Sequence, residues 1–166
     1  FATLIDAIAT FERTLITPNA PFDRYLLGER QAISEEAKKG FRRFIDLGCA
    51  SCHQGVNVGG NMFQRIGIMA DYFAQRPAEF PVVTADLGRF NVTGLDEDRH
   101  VFKVPSLRNV AVTAPYFHDG HVAKLAEAIR IMGQVQLGRD LSEEEVASLL
   151  AFLETLTGEP TVALKP

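Results

Sequence analysis

The sequence predicts a mostly α-helical fold whose long middle is organised by something other than a sheet, and three observations lead there. Five segments carry apolar residues at helical spacing or clear helix boundaries. The stretch from Gly55 to His121 is broken by Gly59, Gly60, Pro77, Pro81, Gly88, Gly94, Pro105 and Pro115, and no convincing sheet emerges from it. Directly before that stretch stands Cys49-Ala50-Ser51-Cys52-His53, which holds both cysteines of the chain.

The first helix is expected over about residues 2 to 16, with Leu4, Ile8, Phe11 and Leu15 in line and Asp6, Glu12 and Arg13 on other faces. Pro18, Asn19 and Pro21 end it, and a short helix from Pro21 through Leu27 follows and stops at Gly28. Ser34 is an N-cap for the next helix, with Glu35 and Glu36 in the first turn, where the helix dipole favours them. That helix runs through Ala37, Phe41, Phe44 and Ile45 to Gly48. Gly40 inside it costs about 1 kcal/mol against alanine, which another backbone passing close by would justify. Short extended pieces are expected around Val82-Val83 and His100 to Val104. A further helix, about 122 to 132, aligns Val122, Leu125, Ile129 and Met132. The last opens with the capping box Ser142-Glu143-Glu144-Glu145, continues through Val146, Leu149, Leu150, Leu153 and Leu156, and ends at Gly158 and Pro160. No internal repeat stands out.

The 166 residues suit one domain plus an extension, and the 46% hydrophobic, 23% charged composition is that of an ordinary globular chain. A net charge of −4 offers no basic stripe for nucleic acid. No run of 18 apolar residues exists to span a membrane. The start lacks the basic region and cleavage site of a signal peptide, as a trimmed mature chain would; the opening Phe1 in place of methionine suggests such trimming.

Four chemistries compete for Cys49 to His53. A thioredoxin-like pair needs a βαβ context that is not found. A zinc site needs a second ligand pair, and none is obvious. A disulfide across so small a loop stabilises little. The remaining reading is covalent haem: two thioethers to the vinyl groups, and an imidazole from His53 to iron. Such attachment is extracytoplasmic chemistry, so the periplasm is the expected compartment.

The second axial ligand decides what such an iron does, since a closed site transfers electrons and an open one admits peroxide. Met62 and Met69 follow the motif too closely without a tight detour. Met132 lies 79 residues beyond His53, far enough for the long loop to wrap the haem edge and return, but a Met on an apolar helix face is equally a core residue. His118 and His121, flanking the Asp119-Gly120 turn, are rival ligands. His100, in the acidic run from Asp96, is expected to be solvated.

Gly40-x-x-x-Phe44 and Leu149-Leu150-Ala151-Phe152-Leu153 resemble the crossing terminal helices of class I cytochromes c. That implies a cytochrome c-like haem domain with long loops wrapping the cofactor. A closer resemblance covers essentially the whole chain. Phe11-Glu12-Arg13-Thr14-Leu15, Pro21-Phe22-Asp23-Arg24-Tyr25-Leu26, Asn57-Val58-Gly59-Gly60, the block Phe102 to Val110, Pro115-Tyr116-Phe117-His118-Asp119-Gly120 and Gln136-Leu137-Gly138 are similar to the C-terminal haem domain of bacterial di-haem cytochrome c peroxidases.

The resemblance implies one covalent haem c with His53 and Met132 as iron ligands. It also implies a calcium ion held partly by the backbone carbonyls of Thr113 and Pro115, His118 near the interface between haems, and Arg108 near a haem propionate. Electrons would come from a small cytochrome c or a copper protein, and dimerisation is a further expectation. Family members carry two C-x-x-C-H motifs and this chain has one, so the domain holding the peroxidatic haem, and with it peroxide cleavage, is expected outside it. The expected organisation is a linking segment over 1–30, the haem domain over 31–160 and a tail over 161–166. A stand-alone monohaem shuttle is the alternative. A related protein-modifying di-haem oxidase would carry a tyrosine where Met132 stands.

Overall fold

The computed structural model describes residues 2–159. Pro160 and the tail expected over 161–166 lie outside the described residues, as does Phe1. Among the described residues there are six α-helices: α1 Ala2–Glu12, α2 Pro21–Leu26, α3 Glu35–Asp46, the single turn α4 Phe90–Thr93, α5 Leu125–Leu137 and α6 Glu143–Glu154. The mostly α expectation stands. Among the described residues the loop-rich stretch contains one small antiparallel pair, β1 Phe63–Arg65 with β2 Val101–Lys103, in the register Gln64 opposite Phe102; β2 lies in the extended piece expected from His100 to Val104, and no strand forms at Val82-Val83.

Helix α3 starts where its side chains dictate, the Ser34 hydroxyl accepting from the Ala37 N–H at 3.1 Å. Helix α6 starts with the reciprocal pair at Ser142 and Glu145: the serine hydroxyl accepts from Glu145 N–H at 3.2 Å, and Ser142 N–H donates to the Glu145 carboxylate at 2.8 Å. Helix α5 departs from expectation. Val122 pairs in a bridge with Tyr116 instead of joining the helix, and the helix runs past Gly133 to a left-handed Gly138. A side chain at Gly133 would meet Leu141 and the Arg139 carbonyl, which fill the space where a Cβ would project.

The core is the α3–α6 crossing. Phe22, Phe41, Phe44 and Phe152 interlock at ring separations of 4.8 Å for Phe22–Phe41, 5.0 Å for Phe22–Phe152 and 5.2 Å for Phe44–Phe152, with edge or tilted geometry. Ala37, Leu149, Leu153 and Leu156 complete the buried layer. Ile45, expected on the inner stripe, faces out and is half exposed. Gly40 has the packing reason its position asked for: a Cβ there would run into the Ser148 carbonyl and stand 2.8 Å from the Phe152 Cβ. No described helix is long and apolar enough to cross a membrane.

Candidate haem site and a buried charge network

Gly48, at φ +91°, turns the chain off the end of α3 in a conformation L-residues avoid, and Cys49–Ser51 close into a 3₁₀ turn. The His53 N–H donates to the Cys49 carbonyl at 3.0 Å, so both sulfur-bearing residues and the imidazole are set by one compact turn. Cys49 and Ala50 pack on the α3–α6 core, and the His53 ring lies 6.4 Å from that of Phe44. Cys49, Cys52 and His53 are therefore brought together beside the α3–α6 core.

Inside this turn the His53 Nδ1 is buried and has no hydrogen-bond partner. An unpaired buried donor or acceptor costs about 1–3 kcal/mol. Gly59 roofs this nitrogen: at φ +125°, its missing Cβ would stand 3.1 Å from Nδ1 and collide with the Pro105 carbonyl. Gly60 N–H donates to the Val104 carbonyl at 2.9 Å and pins the roof. Burial lowers the His53 pKa, with the backbone of Val58 and Pro105 acting against it, so the ring is held in the neutral form that binds metals. Burial also pushes the Cys49 thiol up to about 11, the reverse of an activated redox thiol. Two thiols and a buried imidazole on one turn are the donor set that a c-type haem uses, and the residues fit the group.

Met132 sits in the third turn of α5, half-buried. Its neighbours Ala128 and Ile129 belong to two different buried clusters, whereas Met132 joins neither among the described residues. Its thioether is thus not spent on the apolar core. Met69 is 61% exposed; its N–H donates to the Val135 carbonyl at 2.9 Å, and its side chain lies on Gly138. Thr113 and Pro115 are exposed, and among the described residues neither carbonyl accepts a hydrogen bond. Arg108 forks onto the Asp23 carboxylate at 2.9 and 2.8 Å and donates to the Val56 carbonyl at 2.9 and 2.7 Å, tying α2 to the loop behind the attachment turn.

A second cluster has no counterpart in any sequence pattern. Arg76, 2% exposed, binds Asp86 through two nitrogens at 3.0 and 2.8 Å and Asp119 at 2.6 Å. His118 Nε2 meets Asp86 Oδ1, the oxygen that also accepts from Arg76, at 2.6 Å, and His121 Nδ1 meets Asp119 at 2.8 Å. The Tyr72 hydroxyl is 3.4 Å from both Asp119 oxygens. Burial alone would raise both carboxyls. Hydrogen bonds from Arg76, Val83 N–H and His118 outweigh it and hold Asp86 well below the usual carboxylate range. Those from His121 and Arg76 hold Asp119 at about 2. The two histidines considered as iron ligands are thus engaged by carboxylates, and the Phe102 ring stacks on His118 at 4.5 Å. His100 is not the solvated residue expected: its Nδ1 contacts the Asp86 carbonyl at 2.8 Å and its ring packs 4.4 Å from Phe73. The network ties together the loop that the sequence left unstructured.

Residues 1–31 match the family model described as di-haem cytochrome c peroxidase. The chain is 44% identical over 153 residues to cytochrome c551 peroxidase of Nitrosomonas europaea, covering 92% of this chain and 43% of that protein. It is 42% identical over 159 residues to cytochrome c551 peroxidase of Pseudomonas aeruginosa, covering 96% and 44%. Among solved structures it is similar to a MauG-like protein associated with microbial copper homeostasis, with a TM-score of 0.76 and 32% identity, covering 96% of this chain and 54% of that one. The chain spans less than half the length of these two curated relatives.

Proposed function

This chain belongs to the di-haem cytochrome c peroxidase family, and from that premise we propose that it is the periplasmic domain through which electrons enter such an enzyme. The observation that carries the reading is the single turn that brings Cys49, Cys52 and His53 together, with the His53 Nδ1 buried beneath Gly59. A haem c bound here would supply one-electron chemistry. Cys49 and Cys52 would hold it covalently, and His53 and Met132 would ligate its iron. The hydrogen peroxide that the whole enzyme reduces to water reacts at a second haem, on a domain outside these residues.

Each of the chain's own groups has a part in that reading. The Gly59–Gly60 roof and the Phe44 ring exclude water from the ligating imidazole and keep it neutral. Thr113 and Pro115 present free carbonyls to a calcium ion that steadies the domain junction. His118, held by Asp86, lies on the side facing the peroxidatic haem. A small cytochrome c or copper protein delivers electrons, and dimerisation of the whole enzyme is part of the same reading.

The test is Met132→Ala in the haem-loaded protein, followed by optical spectrum and reduction potential. The expected result is loss of the far-red thioether band of the ferric state and a lower potential, because sulfur ligation raises it. An unchanged spectrum and potential would remove Met132 from the site. If the complete gene product carries one haem, reduces no peroxide and still exchanges electrons, a stand-alone monohaem shuttle replaces this reading.

A further inference from the structure

The Arg108 side chain joins α2 to the loop that follows the attachment turn. Nη1 and Nη2 fork onto the Asp23 carboxylate at 2.9 and 2.8 Å, while Nε and Nη2 converge on the Val56 carbonyl at 2.9 and 2.7 Å. Nearly all the donors of a guanidinium are spent in this way. The pair is partly open, with side chains 19% and 32% exposed. An ion pair that open contributes little through its charge alone, so its effect lies in the geometry it fixes.

The Asp23 end is anchored. Its neighbour Phe22 packs 5.0 Å from Phe152 in the aromatic core, and Phe22 N–H donates to the Thr155 carbonyl at 3.1 Å. The Val56 end is not anchored by its own side chain, which is 80% exposed. There the backbone is the handle. The carbonyls of Val56, Asn57 and Val58 accept in succession from Arg108, from Ser106 Oγ at 2.7 Å and from Leu107 N–H at 3.2 Å. Gly60 N–H closes the series on the Val104 carbonyl.

The segment so held is the roof of the His53 imidazole, since Gly59 lies between the Pro105 carbonyl and His53 Nδ1. It is not a relaxed segment. Val58 has φ +49°, which a β-branched residue rarely adopts, and such backbone persists only where its surroundings enforce it. Closure over the imidazole therefore depends on bonds from outside the loop.

We infer that Arg108, anchored by Asp23, is a positioning residue for the His53 ligand: it holds residues 56–60 closed over the buried edge of the imidazole and keeps water from it. The inference rests on the haem reading above and extends it to a pair of residues that act through the loop. Solvent access at a metal ligand is one of the settings of a reduction potential. Water admitted beside the ligand stabilises the oxidised, more positive state, so an open roof lowers the potential. A lysine cannot replace the arginine, because a single ammonium has no planar fork with which to hold a carboxylate and a carbonyl together.

The experiment compares Arg108→Lys and Asp23→Ala with the unaltered, haem-loaded protein. Two quantities are read: the potential of the haem attached at Cys49 and Cys52, and amide hydrogen exchange resolved by peptide mass spectrometry. Both variants are expected to lower the potential and to speed exchange in the peptide spanning Val58 to Gly60 about tenfold or more, with α3 and α6 peptides unchanged. The direction of the potential separates geometry from charge. Charge acting alone would leave the potential of Arg108→Lys in place, since the cation is kept, and would raise that of Asp23→Ala, since an anion is removed. That pattern overturns the inference. Exchange quickened equally in α3 and α6 also overturns it, because the pair is then a general strut. A haem-loaded protein in which neither variant moves either quantity overturns this inference alone. Failure of the unaltered protein to take up haem at Cys49 and Cys52 overturns it together with the reading beneath it.

Discussion

Arg76 and Asp86 form a two-pronged ion pair inside the loop region, with both side chains 2% exposed or less. The nine residues between them carry no regular helix or strand beyond the start of one 3₁₀ turn, so this pair, with Asp119, takes the place of secondary structure in holding the loops. Removing one partner of such a pair leaves the other charged and desolvated.

Arg76→Ala is therefore expected to destabilise the haem-loaded protein by about 3–5 kcal/mol, since Asp86 and Asp119 lose their shared counter-charge. Chemical denaturation at neutral pH measures it. A loss below about 1 kcal/mol, the range of an exposed pair, would show that the pair is solvated in solution.

Acid should dismantle the same network. Asp119 is held at about 2 in the folded protein against an ordinary value of 3.8, and Asp86 is held lower than usual as well. A depressed carboxyl contributes stability that is complete above its unfolded value and drains away as pH falls through the folded one. For Asp119 the window is about pH 4 to pH 2, and its share is on the order of 2 kcal/mol. Melting temperature measured from pH 6 downward should fall through this window, and Asp119→Asn should be less stable at neutral pH with a flatter acid limb. A parallel acid limb in the variant would assign the loss to other carboxylates.

Gly40→Ala is expected to cost about 1–3 kcal/mol or more. A helix interior normally gains from this substitution, but here the added carbon meets the Ser148 backbone, which has no rotamer with which to yield. Thermal unfolding of the variant that is unchanged or improved would mean that α3 and α6 cross farther apart.

Ser142→Ala should cost about 1 kcal/mol by removing the hydroxyl that accepts from Glu145 N–H at 3.2 Å. Ser142→Asp, which keeps an acceptor, should recover most of it. Equal losses in both variants, read by urea denaturation, would argue against capping as the cause.

The sequence by itself determined whatever depends on near neighbours. Ser34 and Ser142 set helix starts because their partners lie three residues on, and Cys49, Cys52 and His53 are joined by one turn whatever the rest of the chain does. Gly40 was legible because a glycine in a helix interior has a cost that calls for a close neighbour. The tertiary structure alone decided what depends on residues far apart. His100 looked solvated from its acidic surroundings, yet the Asp86 carbonyl and the Phe73 ring take it up. Arg76, Asp86 and Asp119 carry no periodic pattern, and their charges are compatible with a wet surface until the loops fold them together. The α1 stripe reads as core in the sequence, and only the fold exposes it. Helical periodicity records that a face is to be buried, while what buries it is fixed by chain distant in sequence.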